Sequence, residues 1–197
     1  RWASGSIRYF DPLGKEIGFK TLDFSQDPYI PVYRTTLSYV DYYEGISAVT
    51  ADGILMVKKE RGKKEKTATL KRRPPQAGDS GIHSIIRDNL PLLLSGKTAT
   101  FRLALAGALD DFRFKVSKLR DVSYEGIPAV ELVMKPDSLL SIIADDVFLV
   151  YEPIKGRLLE YRGPSNLHDP KSGDPWLARI IYPAQTPADI KVLPPLD

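Results

Sequence analysis

Asp111-Phe112-Arg113-Phe114-Lys115-Val116-Ser117 places Phe112, Phe114 and Val116 in alternation with Arg113, Lys115 and Ser117. Successive side chains of an extended chain point to opposite faces, so this stretch is predicted as a strand with one dry face and one wet face. The same period returns on both sides of it. Ser6–Phe10 and Lys15–Phe24 flank Asp11-Pro12-Leu13-Gly14, whose proline and glycine suit a tight turn. Asp27-Pro28-Tyr29-Ile30-Pro31 is an irregular connection, after which Val32 to Tyr43 resumes as an aromatic, β-branched strand. Further strands are expected over 98–106, 127–134, 147–152, 157–162 and 176–182. The predicted fold is mainly β: one curved antiparallel sheet, a half-barrel of about ten strands, within a single domain 1–197. Curvature is expected because so many strands in one sheet coil rather than lie flat.

Asp79-Ser80-Gly81-Ile82-His83-Ser84-Ile85-Ile86-Arg87-Asp88-Asn89-Leu90 breaks the pattern. Ile82, Ile85, Ile86 and Leu90 fall at helical spacing, with Asp79 or Ser80 as N-cap and Gly96 as the closing residue. Pro91 is expected to kink this 79–95 helix or split off Leu92–Ser95. A second, shorter helix is expected over Pro136–Ile143. Both helices carry apolar faces that must be covered, so the long one is expected to pack on the sheet, its Ile82, Ile85, Ile86 and Leu90 face serving as a ligand-binding lid.

Net charge is +3, yet Lys58–Arg73 holds nine basic residues against Glu60 and Glu65, so that segment alone carries +7. Ile54-Leu55-Met56-Val57 before it and Thr67-Ala68-Thr69-Leu70 after it, with Gly62 between, predict a hairpin. Its Lys58, Lys59, Arg61, Lys63, Lys64 and Lys66 form a basic surface suited to anionic membrane headgroups, or to the plainer role of keeping strand edges apart. No aromatic residue stands between Lys58 and Arg73, so a base-stacking platform is missing and nucleic acid is not an expected partner.

The chain has no cysteine, which excludes disulfides, thiolate metal sites and cysteine nucleophiles. Its two histidines, His83 and His168, stand in no metal-ligand spacing, so neither a metal nor a cofactor is expected. Ser165, His168 and Asp169 are the residue types of a hydrolytic triad, but their surroundings, Gly163-Pro164-Ser165-Asn166 and Asp169–Pro175, have the composition of turns. Asp145-Asp146 could contribute to a cation site, and Asp23 could pair with Arg34. Tyr43-Glu44-Gly45-Ile46-Ser47-Ala48-Val49 returns as Tyr124-Glu125-Gly126-Ile127-Pro128-Ala129-Val130, and a Glu-Gly hairpin turn accounts for both copies.

Leu22-Asp23-Phe24-Ser25, Leu93-Leu94-Ser95-Gly96 and Arg157–Asn166 together resemble a group of exported bacterial proteins built on a domain of unknown function. More distantly, many strands interrupted by one long and one short helix are similar to the lipoprotein-carrier half-barrels of the bacterial envelope. That resemblance implies a curved sheet holding acyl chains under helical lids, and it transfers no site residue. The chain starts at Arg1, in a polar stretch, and is expected to be periplasmic or secreted with its signal peptide removed. The expected function is a non-enzymatic exported envelope protein that takes a lipidic or other hydrophobic ligand in the concave face of the sheet. Its expected partners are lipid or another envelope protein, with contact to a membrane surface. A structural or protein-interaction module of the envelope is the alternative, and a hydrolase with a site near Ser165, His168 and Asp169 is the second alternative.

Overall fold

The computed structural model describes residues 3–137 and 146–183. The strands are β1 (Ser4–Phe10), β2 (Glu16–Asp23), β3 (Val32–Leu37), β4 (Tyr42–Val49), β5 (Gly53–Lys59), β6 (Lys66–Lys71), β7 (Gln76–Gly78), β8 (Ala99–Leu105), β9 (Asp110–Tyr124), β10 (Ile127–Pro136), β11 (Val147–Glu152), β12 (Arg157–His168) and β13 (Pro175–Ile181). The helices are α1 (Gly81–Asp88) and α2 (Leu90–Leu94). The mainly β expectation holds, but the single sheet of about ten strands is corrected. The described residues form thirteen strands in two sheets, ordered β1-β2-β3-β4-β5-β6 and β13-β12-β11-β10-β9-β8-β7, and neither closes into a barrel. Hairpin neighbours are legible in the sequence, but the point at which pairing stops is not. Here it stops between β6 and β7, and the chain crosses to a second sheet.

The helices have a topological cause. β7 runs parallel to β8, the one parallel pair among the described strands. Parallel neighbours cannot be joined by a tight turn and need a crossover, usually helical. α1 and α2 are that crossover. The 79–95 helix is in fact two segments, parting at Asn89, earlier than expected. Pro91 has no N–H to offer the Arg87 carbonyl and its ring crowds that turn. Asn89 covers the break by donating its side-chain Nδ2 to Ile85 O at 2.8 Å. Gly96 closes α2 as expected, its N–H reaching Leu93 O at 3.0 Å. Among the described residues no side-chain bond caps α1; the Asp79 carboxylate accepts from Lys20 and from the Ser80 N–H and hydroxyl. The expected helix over Pro136–Ile143 lies outside the described residues beyond Asp137; Pro136 itself ends β10.

Two main cores follow. Ile85, Ile86, Leu90 and Leu93 pack with Phe101, Leu103, Phe114, Val116, Val130, Leu132 and Tyr151 on the inner face of the second sheet. Leu22, Tyr33, Ile46, Ile54 and Met56 of the first sheet, with Ile30 from the β2–β3 connection, pack with Ala104 and Ala106. Phe114 and Val116 are buried while Arg113 and Lys115 are exposed, as their alternation predicts. The alternation does not run on through β9: the β9–β10 register shifts between Glu131 and Leu132, which turns Val122 and Tyr124 to a third cluster with Ala129, Val150 and Leu159.

The repeated heptapeptide folds in two ways. Glu125 and Gly126, at φ +51° and +79°, form the two-residue turn between β9 and β10, as expected. Glu44 and Gly45 instead sit inside β4, where Gly45 faces Arg34, and a Cβ at Gly45 would clash with the Tyr33 carbonyl. Other expectations are also corrected. Gly163–Asn166 belongs to β12 rather than to a turn, although the β12–β13 register shifts between Pro164 and His168. Asp23 accepts from the Ser25 N–H, while the Arg34 guanidinium lies 3.9 Å from the centre of the Tyr43 ring, so these two do not pair.

Candidate functional site: a cavity between the two sheets

A cavity of about 1490 Å³ lies between the sheets, bounded by the first five strands on one side, by β8–β13 on the other, and by α1. Leu103, Phe114, Met134, Val147, Leu149 and Leu158 give it an extended apolar wall. Ligand pockets for drug-sized molecules span roughly 300–1,000 Å³, so this space suits a larger guest.

Glu44 and Lys58 stand on the opposite side of the cavity, in an inward row of the first sheet whose order comes from strand register. Lys20 on β2 stands opposite Thr35 on β3, Thr35 opposite Glu44 on β4, and Glu44 opposite Lys58 on β5. One inward row of the first sheet therefore reads cation, hydroxyl, carboxylate, cation, and cross-strand partners lie about 4.5–5.5 Å apart at Cβ. Lys20 is only 1% exposed. Its Nζ donates to both Asp79 oxygens, at 2.7 and 2.6 Å, and to Asn166 Oδ1 at 3.1 Å, which ties β2 to the start of α1 and to β12. Burial would push the Asp79 carboxyl up, but Lys20 and the Ser80 hydrogen bonds outweigh it and hold it below the ordinary carboxylate value. Glu44 accepts from Tyr42 OH at 2.6 Å, and burial nonetheless leaves its carboxyl raised. Lys58 donates to Gly107 O at 2.7 Å and meets Glu60 at 2.8 Å. The Thr35 hydroxyl, in the middle of the row, is buried without a hydrogen-bond partner among the described residues.

Tyr33, Tyr42, Tyr151, Tyr161 and Tyr182 also line the cavity. Burial pushes every one of these phenols up, so each stays a neutral hydroxyl near pH 7. His83 Nδ1 lies 3.0 Å from Tyr151 OH, and burial, helped by Arg87, lowers its pKa towards the neutral imidazole. His168 is held through its backbone: Tyr39 OH donates to its carbonyl at 2.6 Å and receives its N–H at 2.7 Å.

The sequence-predicted residues divide. Of the helical face, Ile82 lines the cavity, whereas Ile85, Ile86 and Leu90 point into the core beneath α1. Of the basic hairpin, Lys58 and the exposed Arg61 stand at the cavity. Lys63 shares Glu60 with Lys58, Lys59 faces Asp41 at 3.7 Å, and Lys64 and Lys66 are exposed. The hairpin and the helix, separate in sequence, thus border one space. Ser165, His168 and Asp169 do not converge. Ser165 bonds to Leu167, the Asp169 carboxylate receives the Lys171 and Ser172 N–H groups, and no hydrogen bond joins any two of the three. A nucleophile without a base in reach has nothing to take its proton. Asp146 pairs with Lys135 at 2.7 Å, and Asp145 lies outside the described residues. Among the described residues no group of three or more His, Asp or Glu is placed to hold a metal ion, and no helix is long and apolar enough to cross a membrane.

Glu44, Asp79, Asn166 and Arg87 at the cavity, and Lys20, which holds Asp79 and Asn166, are not foreseen from the sequence. The signal for two of them is parity. Lys20 shares alternate positions with Gly18 and Leu22, and Glu44 with Tyr42 and Ile46, so each charge falls on the core side of its strand. No family, no curated protein and no solved structure matches the chain.

Proposed function

We propose that this chain is a non-enzymatic, exported envelope protein that holds a lipidic or other hydrophobic ligand between its two sheets. The observation that supports it is the cavity of about 1490 Å³ with its apolar wall of Leu103, Phe114, Met134, Leu149 and Leu158. The guest lies between the sheets rather than in the concavity of one. Native mass spectrometry of the purified protein tests this: a co-purified lipid in the wild type is the expected result. Ser84 lines the cavity from α1 without belonging to the core. Ser84→Trp should fill that space, leave the thermal midpoint within a few degrees and abolish uptake of an apolar fluorescent probe. Unchanged uptake by a folded Ser84→Trp protein would place the ligand elsewhere.

Contact with an anionic membrane is the accompanying role, favoured by the position of Lys58 and Arg61 at the cavity. Lys64 and Lys66, which make no ion pair among the described residues, are the cations free to act. Each is worth about 1 kcal/mol near an anionic surface, so Lys64→Ser with Lys66→Ser should weaken vesicle binding about thirtyfold at low salt. Equal binding by the double variant and the wild type returns the hairpin to guarding a strand edge.

A further inference from the structure

We propose that the corner of the cavity around Arg87 recognises the acidic head of a single-chain amphiphile, while the alkyl chain lies along the apolar wall. This rests on the cavity being the ligand site and adds the chemical class of its guest. Arg87 lines the cavity from the last turn of α1, partly buried, and its guanidinium has neither a hydrogen bond nor an ion pair among the described residues. The other charges nearby are already committed. Glu152 is engaged by Lys155 at 3.3 Å and by Arg157 at 3.2 Å, and Asp88, on the same helix, accepts from Tyr29 OH at 2.8 Å. Lys155 and Gly156 of the β11–β12 turn and Arg157 at the start of β12 border the same corner, so with Arg87 three cations stand there against Glu152.

The corner is built to position that cation. A Cβ at Gly156 would lie 2.8 Å from Arg87 Cγ, so the turn rests directly on the arginine stem and leaves the guanidinium as the part able to move to a guest. His83 and Tyr151, paired with each other at 3.0 Å, line the cavity one helical turn away, and burial pushes the Tyr151 phenol up, so neither sets an anion beside Arg87. A planar guanidinium next to an apolar wall suits a carboxylate or a phosphate monoester, either of which it can bind through two parallel hydrogen bonds. A neutral head would leave the charge unanswered in a partly dry site.

The test displaces a fluorescent apolar probe from the wild type and from Arg87→Met with laurate, with lysophosphatidate of the same chain length, and with dodecanol. Arg87 has no partner to orphan among the described residues, so Arg87→Met should fold with an unchanged thermal midpoint. The wild type should prefer both acids to the alcohol. Arg87→Met should lose at least tenfold in affinity for the acid that fits, with dodecanol unaffected, and Arg87→Lys should recover part of the loss. The stronger of the two acids identifies the head as a carboxylate or a phosphate. Equal uptake of acids and alcohol by the wild type, or a parallel loss of all three in Arg87→Met, overturns the head-group assignment while leaving the cavity as a ligand site. Failure of every amphiphile to enter the wild type overturns both.

Discussion

Ile86→Asp unfolds the protein under conditions in which the wild type is fully folded. Ile86 is 1% exposed and lies in the cluster that joins α1 to the second sheet. The substitution removes a side chain worth roughly 1.5–3 kcal/mol of burial and puts in its place a carboxylate that must either stay charged without a partner or take up a proton. Together these cost several kcal/mol, a large part of the roughly 5–15 kcal/mol that holds a domain together. Urea denaturation followed by circular dichroism reads the effect. Ile86→Val is the control, expected to cost about 0.5–1.5 kcal/mol because only one methylene is lost. A midpoint for Ile86→Asp close to that of Ile86→Val would mean that α1 does not pack on the sheet.

Lys20→Met is expected to cost about 3–5 kcal/mol, because it leaves Asp79 buried without its counter-charge. Replacing both partners, Lys20→Met with Asp79→Leu, should cost less than Lys20→Met alone, since an apolar pair has no orphaned charge. The dependence on pH separates this from simple loss of packing. In the wild type the folded Asp79 value is depressed, so its contribution is fully present above the ordinary carboxylate value of about 3.9 and is lost as pH falls through the folded value. In Lys20→Met, burial acts without the lysine to oppose it and raises the folded value. The penalty is then largest at high pH and is relieved as pH falls through that raised value, where Asp79 takes up a proton. The stability gap between variant and wild type should therefore narrow between pH 7 and pH 4, measured as urea midpoints at each pH. A gap that stays constant across that range would show that the cost of Lys20→Met does not come from an uncompensated charge on Asp79.

How much of the site could be read in advance depends on the kind of residue. Ile82, Lys58 and Arg61 are legible because an apolar face and a charge run are properties of neighbours in the chain. The Lys20–Thr35–Glu44–Lys58 row spans β2 to β5, and it exists only once three hairpin registers are fixed together. A one-residue slip in any of them would send a charge to the outer face. The Lys20–Asp79 bond goes further, joining residues 59 positions apart from a strand and a helix entrance. Glu44 carries the plainest lesson. Its heptapeptide nearly repeats at Tyr124–Val130, where Glu125 and Gly126 make an exposed turn, while Glu44 and Gly45 run through a strand with Glu44 facing the interior.

The sequence by itself determined what is local. Alternation set most of the strands and the dry side of stretches such as Phe112–Val116, the isoleucine spacing and Pro91 set a broken helix, and the residues of Lys58–Lys66 set a charged hairpin, because each depends on dihedral preferences and neighbours within about ten positions. Long-range pairing divides the strands into two sheets after β6, makes the helices a parallel crossover, and leaves a cavity between the layers with Arg87 on its lining. Those outcomes rest on pairings and packing between distant segments. An antiparallel meander offers an equally good next edge at every strand, so local preference has no means of saying where the sheet should end.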